Sequence, residues 1–164
     1  MSSSTKNLVV VDIADMYVST NPNDELVTYS LGSCIGVVIH DPVAGVGGMI
    51  HCMLPLSSCD QEKAKIKPCM FVDTGMNLFL GNLFKSGLTK ANAVFKVAGG
   101  SAVLDTQGLF RIGERNYTIF RKFMWKNGLM IKAEDVGGNS ARTVRLHMDT
   151  GKVTVRTGGS EVEL

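Results

Sequence analysis

Cys34 is the residue of this sequence whose surroundings favour nucleophilic chemistry. It follows Gly32 and Ser33, and another glycine, Gly36, comes two residues later. Small neighbours let a substrate backbone come close, and they let successive backbone N–H groups turn toward one point, where they stabilise an oxyanion. Because a free cysteine is more often an inert buried residue of a strand, this interpretation requires a chemical partner for Cys34.

His51 is the partner that the chain offers. Residues 34–40 and 47–54 have the pattern of a β-hairpin that turns at Pro42-Val43. Pairing about that turn sets Cys34 directly opposite His51, and opposed residues have Cβ atoms roughly 4.5–5.5 Å apart. An imidazole so placed takes the thiol proton, so we expect it to raise the thiolate fraction of Cys34. A shift of one residue would place the two side chains on opposite faces.

A third group should orient the imidazole of His51. Thr28 lies six residues before Cys34 on the preceding strand, and its hydroxyl can accept a hydrogen bond from the ring N–H. Threonine is also favoured in strands for packing reasons alone, so this role competes with a purely structural one. Asp73 and Asp105 are the alternatives that the fold could bring close to the ring.

The rest of the sequence predicts the elements that position these residues. Two segments show helical periodicity of apolar residues, one around 76–84 and one over 114–127. Residues 55–68 indicate a surface loop with at most a helical turn. The predicted strands outnumber the helices: 7–13, 26–31, 34–40, 47–54, 91–98, 129–133, 142–148 and 152–156. We expect a single α+β domain over residues 1–164, a layered α/β sandwich in which two main helices pack on a mostly antiparallel sheet.

Composition narrows the class of function. The chain has 17 Lys+Arg and 15 Asp+Glu among 164 residues, a balance that gives no electrostatic case for nucleic acid or a membrane surface. It contains no apolar run long enough for a transmembrane helix and no secretory signal. We therefore expect a cytoplasmic protein that is not a membrane protein, with its four cysteines present as thiols.

Several sequence motifs together resemble those of the CheD family of chemoreceptor glutamine deamidases. The longest are the segment from Thr28 to Pro42, which contains Leu-Gly-Ser-Cys, and the segment from Gly47 to Pro55, which contains His-Cys-Met-Leu-Pro. Shorter matching segments follow in order along the chain: Phe71–Thr74, Lys96–Gly100, Ile112–Asn116, Glu134–Gly138 and Thr150–Val153.

The resemblance implies an α/β sandwich related to the catalytic domain of a glutamine-deamidating toxin. It also implies a Cys–His site assisted by a threonine, and Cys34, His51 and Thr28 occupy those motif positions. The implied reaction is hydrolysis of a glutamine side chain to glutamate and ammonia through a thioester. Backbone N–H groups near Gly32 and Ser33 would support the oxyanion, and no metal or organic cofactor is expected.

The resemblance also implies the partners. The substrate would be the cytoplasmic helices of methyl-accepting chemotaxis receptors, and a CheC-type phosphatase would bind the chain. An alternative is a regulatory binding module that acts mainly through that phosphatase. A further alternative is a zinc protein that uses the thiolates of Cys34, Cys52 and Cys59 together with His51, although their spacing fits no common zinc motif.

Overall fold

In the described part of the chain, the strands form two five-stranded sheets. The structure is a computed structural model that describes residues 5–103 and 108–164. The strands are β1 (Asn7–Val10), β2 (Asp15–Ser19), β3 (Asp24–Leu31), β4 (Ile35–Asp41), β5 (Val46–Cys52), β6 (Val94–Gly99), β7 (Ile131–Val136), β8 (Arg142–His147), β9 (Val153–Thr157) and β10 (Ser160–Glu163). The outer sheet has the order β1-β3-β8-β9-β10, and the central sheet has the order β2-β5-β4-β6-β7. Pairing is antiparallel except for β1 with β3 and β6 with β7.

The helices lie on the side of the central sheet that faces away from the outer sheet. They are α1 (Gln61–Ile66), α2 (Val72–Lys85) and α3 (Ile112–Lys126). The apolar stripes of α2 and α3 share one core cluster with the central sheet. A second apolar cluster fills the space between the two sheets. None of the helices formed by the described residues combines the length and apolarity that crossing a bilayer requires.

The central hairpin β4–β5 is buried along its whole length because both of its faces are covered. Side chains of a strand alternate between the two faces of the sheet. Ile35, Val37 and Ile39 belong to the helix-side cluster, whereas Val38 belongs to the cluster between the sheets. Residues 36, 38 and 40 therefore face the outer sheet.

The layered α+β class is confirmed, with the addition that the strands divide into two sheets. The helices around 76–84 and 114–127 are present with slightly different ends. Strands β2 and β10 were not predicted; β2 is a short edge strand whose residues alternate in exposure, and β10 is exposed throughout. The polar segment 55–68 contains a 3₁₀ turn over Ser57–Cys59, α1, and the first residue of a second 3₁₀ turn, Pro68–Met70.

The predicted register of the hairpin is wrong by two residues. His51 pairs with Gly36, and Ile35 pairs with Cys52, so Cys34 is not directly opposite His51. A shift of two keeps each residue on its original face, whereas a shift of one would not. Cys34 and His51 therefore remain on the same side of the sheet as diagonal neighbours.

The cause of the shift is the turn. The last pair is Asp41 with Val46, which leaves a four-residue loop in place of the predicted two-residue one. The Asp41 carboxylate accepts hydrogen bonds from the backbone N–H groups of Val43 and Ala44, each at 2.9 Å. Gly45 closes the loop with φ +70°, a conformation that glycine adopts without steric cost. Side-chain capping by Asp41 makes the longer loop stable.

Candidate active site

A hydroxyl from the outer sheet holds the ring of His51. The Thr28 Oγ1 atom lies 2.7 Å from the His51 Nδ1 atom, and the same hydroxyl donates to the backbone carbonyl of Val11 at 2.7 Å. A threonine hydroxyl has one proton to donate. Because the Val11 carbonyl receives that proton, Thr28 accepts from Nδ1–H, and the neutral ring carries its lone pair on Nε2.

The Nε2 atom of His51 is available for chemistry. The residue is 0% exposed, and Nε2 has no hydrogen-bond partner among the residues that the structure describes. Buried ring nitrogens are normally hydrogen-bonded. An unpaired acceptor inside the protein, in a ring whose other nitrogen is fixed, has the arrangement that a general base requires before its substrate arrives.

Cys34 immediately precedes β4 and lies on the face of the central sheet that His51 shares. It is partly buried and packs against the apolar cluster between the two sheets, the space that His51 also faces. Diagonal neighbours on antiparallel strands are roughly 7–8 Å apart between Cα atoms, with the Cβ atoms somewhat closer. Aromatic and long side chains interact across such a distance, and the imidazole of His51 lies on the same face as Cys34 as its diagonal neighbour.

The residue opposite His51 is a glycine, at a position where a side chain would be crowded. Gly36 is the residue directly opposite His51, and a Cβ atom there would lie 3.0 Å from the Leu31 side chain and 3.7 Å from the Thr28 methyl group. The chain enters this region through an irregularity in β3 between Thr28 and Leu31, where Ser30 has φ +55°. At this bend the chain leaves β3 of the outer sheet, which carries Thr28, and leads through Cys34 into β4 of the central sheet.

Burial keeps both members of the pair neutral at rest. It raises the pKa of the Cys34 thiol to about 11, an effect that the residue's own backbone N–H opposes. It lowers the pKa of His51 to about 4, against a smaller raising effect of the Asp12 carboxylate. Charged forms are disfavoured away from water. The expected thiolate is therefore not the resting form of Cys34.

Three consecutive carbonyls around Cys34 are anchored to the scaffold. The carbonyl of Gly32 accepts from the Ser101 N–H at 2.9 Å, and that of Cys34 accepts from the Gly100 N–H at 2.8 Å. The carbonyl of Ser33 accepts from the side chain of Asn116 at 2.9 Å. The peptide planes on either side of Cys34 are therefore fixed. The oxyanion role of Gly32 and Ser33 stays a prediction, and its structural requirement is this fixed backbone.

Comparison with known proteins gives this arrangement a family. The sequence model of the family described as CheD chemotactic sensory transduction matches residues 53–157. A relative from Syntrophus aciditrophicus (strain SB), named probable chemoreceptor glutamine deamidase CheD 1, is 50% identical over 92% of this chain and 94% of that protein. This chain belongs to the CheD family. The alignment with this relative omits fewer residues of this chain than the number that precede Thr28. The aligned span therefore includes Thr28, Cys34 and His51.

A second CheD relative and one solved structure extend the comparison. The chemoreceptor glutamine deamidase CheD of Thermotoga maritima is 38% identical over 94% of this chain and 96% of that protein. A crystal structure of a Neisseria meningitidis protein of the DUF152 family aligns with 82% of this chain at 8% identity and a TM-score of 0.46, and the alignment spans 64% of that protein. The likeness to that structure is too weak to bear on function.

Asn116 and Val11 also contact the candidate site of this CheD-family chain, although no role was predicted for them. Val11 accepts a hydrogen bond through its backbone carbonyl. Every residue type has such a carbonyl, so no sequence pattern could indicate this contact. Asn116, in contrast, could have been noticed in the sequence. It is a polar residue within the apolar stripe of α3, next to Gly113 and Phe120, which are buried with it. A buried amide on an apolar helix face must have hydrogen-bond partners.

The other groups considered from the sequence lie elsewhere. Asp73 accepts hydrogen bonds from the backbone and hydroxyl of Ser57, and Asp105 lies outside the described residues. Cys52 faces the helix-side cluster and Cys59 is exposed, so the proposed zinc ligands point in different directions. Within residues 5–103 and 108–164, no three His, Cys, Asp or Glu side chains come close enough to share a metal ion.

A cleft opens next to Cys34. Its volume is about 690 Å³, and Ser33 forms part of its wall. Small residues form much of the remaining wall: Gly100, Ser101, Ala102, Gly108, Gly113 in the first turn of α3, Gly137 and Gly138. The larger side chains of Phe110, Arg111, Ile112 and Glu114 complete it. A glycine-rich wall lets a bound chain approach the protein backbone closely.

Proposed function

We propose that this chain is a chemoreceptor glutamine deamidase in which Cys34 is the nucleophile, His51 the base and Thr28 the residue that orients the base. The names of its relatives support the reaction and the substrate class. The observation that carries the proposed mechanism is the hydrogen-bond chain from His51 through Thr28 to the Val11 carbonyl, because it leaves Nε2 as a proton acceptor on the face of the sheet that Cys34 shares.

In the first step the sulfur of Cys34 attacks the carboxamide carbon of a glutamine side chain. The thiol proton passes to Nε2 of His51, and the π electrons of the carbonyl move onto its oxygen. Both groups are neutral before this step, so general-base assistance takes the place of a preformed thiolate. Thr28 continues to accept from Nδ1–H and so holds the imidazolium that forms. Backbone N–H groups near Gly32–Cys34 stabilise the oxyanion.

In the second step the tetrahedral intermediate collapses. The oxyanion electrons reform the carbonyl, the C–N bond breaks, and the imidazolium of His51 gives its Nε2 proton to the departing nitrogen, which leaves as ammonia. The product on the enzyme is a thioester between Cys34 and the substrate side chain. Proton return from the same ring that accepted it keeps the step neutral overall.

In the third step water hydrolyses the thioester. His51 takes a proton from the water as its oxygen attacks the thioester carbon, and the sulfur leaves and regains a proton as the thiol. The substrate side chain is now glutamate, and each turnover adds one negative charge to the receptor surface. On packed receptor helices that charge changes the local repulsion and creates a carboxylate that a methyltransferase can esterify.

The cytoplasmic location of the reaction and the binding of a CheC-type phosphatase stay predictions. The substrate that we propose is a solvent-facing glutamine on the cytoplasmic helices of a methyl-accepting chemotaxis receptor. A side chain of that length can enter the cleft beside Ser33 while its helix stays outside.

The test is direct conversion of receptor glutamine to glutamate. Purified protein is incubated with cytoplasmic receptor fragments, released ammonia is assayed, and the modified positions are mapped by mass spectrometry. We expect ammonia in equal amount to new glutamate, at a small number of sites. Wild-type protein that is folded and yet converts no glutamine in several receptor fragments contradicts the proposal.

A further inference from the structure

Asn116 connects the two segments that carry the proposed nucleophile and base. Its side chain is 0% exposed, and its amide nitrogen donates to the backbone carbonyls of Ser33 and Met53, at 2.9 Å each. Ser33 precedes Cys34, and Met53 follows His51 by two residues. One side chain on α3 thereby fixes the entry to β4 relative to the exit from β5.

These hydrogen bonds lie where the β4–β5 ladder has ended. The last pair of the ladder is Ile35 with Cys52, and the N–H of Met53 donates to the carbonyl of Met70 instead of continuing the ladder. A typical hydrogen bond contributes about 0.5–1.5 kcal/mol, and an unmade buried one costs more. Asn116 thus supplies the cross-strand connection at the point where the backbone no longer does.

The position of α3 makes this contact specific. A Cβ atom on Gly113, one turn before Asn116, would lie 2.5 Å from the backbone of Gly100. Glycine at 113 therefore lets the helix rest directly on the loop whose Gly100 N–H holds the Cys34 carbonyl. The side chain's Oδ1 atom has no partner among the described residues, and the reverse orientation of the amide would set this oxygen against two carbonyl oxygens.

The bond to Ser33 also sets the direction of the Cys34 N–H. A trans peptide is planar, so its N–H points away from the carbonyl of the same peptide unit. The Ser33 carbonyl points at Asn116, and the N–H of Cys34 therefore points away from α3. This N–H belongs to the residue that carries the nucleophile, so its direction decides whether it can donate to the substrate oxygen that becomes negative when the sulfur attacks.

We propose that Asn116 is a positioning residue for deamidation, which holds the Ser33–Cys34 peptide so that the Cys34 N–H faces the oxyanion. This inference rests on the proposed function and deepens it. Asn116 does not touch the reacting atoms; it acts through the peptide that it holds. Its loss should affect the transition state more than substrate binding, because the oxyanion exists only after the sulfur has attacked.

The test compares Asn116→Ala with Asn127→Ala. Asn127 lies at the other end of α3 and donates to the Phe123 carbonyl at 2.8 Å, so it is a matched control for loss of one amide from the same helix. We expect Asn116→Ala to lower kcat roughly ten- to hundredfold, less than the removal of an oxyanion donor does, with KM changed by less than about threefold. Asn127→Ala should keep both constants.

Alkylation of Cys34 gives a readout that needs no receptor. The rate of labelling with iodoacetamide is followed against pH by peptide mapping. The N–H of Cys34 lowers the pKa of its own thiol, so a peptide that is free to turn should move the midpoint of the labelling profile to higher pH. We expect this upward shift in Asn116→Ala and no shift in Asn127→Ala.

Asn116→Asp keeps the shape of the side chain and carries the test if the alanine variant does not fold. An ionised carboxylate has no donor for the two carbonyls, whereas the protonated acid has one. Its activity relative to the wild type should therefore rise as the pH falls. Near-UV circular dichroism and the Tm of each variant restrict the kinetic comparison to folded protein.

Two results would overturn the inference. One is a kcat of folded Asn116→Ala within about twofold of the wild type. The other is a lowered kcat with an unchanged labelling midpoint, because a residue that only supports packing would produce that pattern. Failure of the proposed function is distinct from both, since it appears as wild-type protein that converts no glutamine.

Discussion

The β4–β5 hairpin carries two buried histidines, His40 near its turn and His51 near its open end. Each is paired across the hairpin with a glycine, Gly47 and Gly36 respectively. Both rings face the outer sheet, both have an Nε2 atom without a hydrogen-bond partner among the described residues, and burial lowers the pKa of both. By burial and pKa alone, the two are alike.

The two histidines differ in what surrounds the ring. The Nδ1 atom of His51 is held by the Thr28 hydroxyl, and Cys34 is its diagonal neighbour. Backbone encloses the ring of His40: the Met148 backbone opposes the lowering of its pKa, and a Cβ atom on Gly151 would lie 2.5 Å from its Nδ1 atom. Cys34 is six residues from His40 along the chain, roughly 20 Å in extended backbone. A buried, neutral histidine therefore becomes a candidate base only where an orienting hydroxyl and a nucleophile meet it.

The largest effect should follow from removing the nucleophile. Cys34→Ala leaves no group that can form the thioester, so deamidation should fall at least about a thousandfold, to background. Cys59→Ala, which removes an exposed thiol, should leave the rate unchanged. The measurement is receptor glutamate formed per unit time.

Little apolar volume is lost in Cys34→Ala, so the variant should still fold and should still bind a CheC-type phosphatase, as a pull-down would show. Glutamate formation by Cys34→Ala would mean that the nucleophile lies elsewhere.

Exchanging each histidine for glutamine tests the comparison itself. His51→Gln removes the base and should lower kcat by roughly 10²–10⁴-fold, the usual contribution of general base catalysis. His40→Gln makes the same chemical change at the other end of the hairpin and should keep kcat within a few-fold. The same receptor assay measures both, with Tm as a check on folding. Equal losses in the two variants would show that His51 matters for packing and not for proton transfer.

Removing the hydroxyl that orients the ring should have a smaller effect. Thr28→Val leaves Nδ1 of His51 and the Val11 carbonyl unpaired, and a misplaced ring costs up to about a hundredfold in rate. Thr28→Ser keeps the hydroxyl and should retain most of the activity. Thr154→Val is the matched control, since Thr154 is also a buried strand threonine. If Thr28→Val and Thr28→Ser had the same kcat, the hydroxyl would have no orienting role.

The smallest effect concerns stability in acid. The pKa of His51 is lowered from 6.5 to about 4 in the folded protein, so the unfolded chain binds a proton first as the pH falls. This contribution to stability is complete above pH 6.5 and is lost toward pH 4, by at most about 1.4 kcal/mol per pH unit. His51→Gln should flatten the dependence of unfolding free energy on pH, measured in urea at several pH values. An unchanged slope would contradict the burial of a neutral ring.

The sequence predicted correctly those features that depend on short stretches of chain. Alternation along a strand placed Cys34 and His51 on one face, and that conclusion survived a register error of two residues because such a shift preserves the face. The apolar stripes of α2 and α3 were visible as helical periodicity for the same reason. The catalytic roles of Cys34, His51 and Thr28 stay predictions, although the structure brings Thr28 and His51 into contact.

Other features could not be found in this way. The carboxylate that caps the turn at Asp41 set the loop length, and a two-residue turn was the simpler expectation from the sequence. The prediction of a thiolate at Cys34 considered the distance to the imidazole but not burial. Burial keeps the thiol protonated. Desolvation is a property of everything packed around a group, so its size does not follow from neighbours in the sequence.

By itself the sequence determined which residue types can do chemistry here and which face of the hairpin carries them, because both follow from short stretches of chain. Only the tertiary structure decided how they are held. The Val11 carbonyl that fixes the Thr28 hydroxyl, and the Asn116 amide that joins Ser33 to Met53, come from segments 17 to 83 residues away. Contacts between such distant segments arise from packing two sheets and a helix into one core, and no local pattern encodes them.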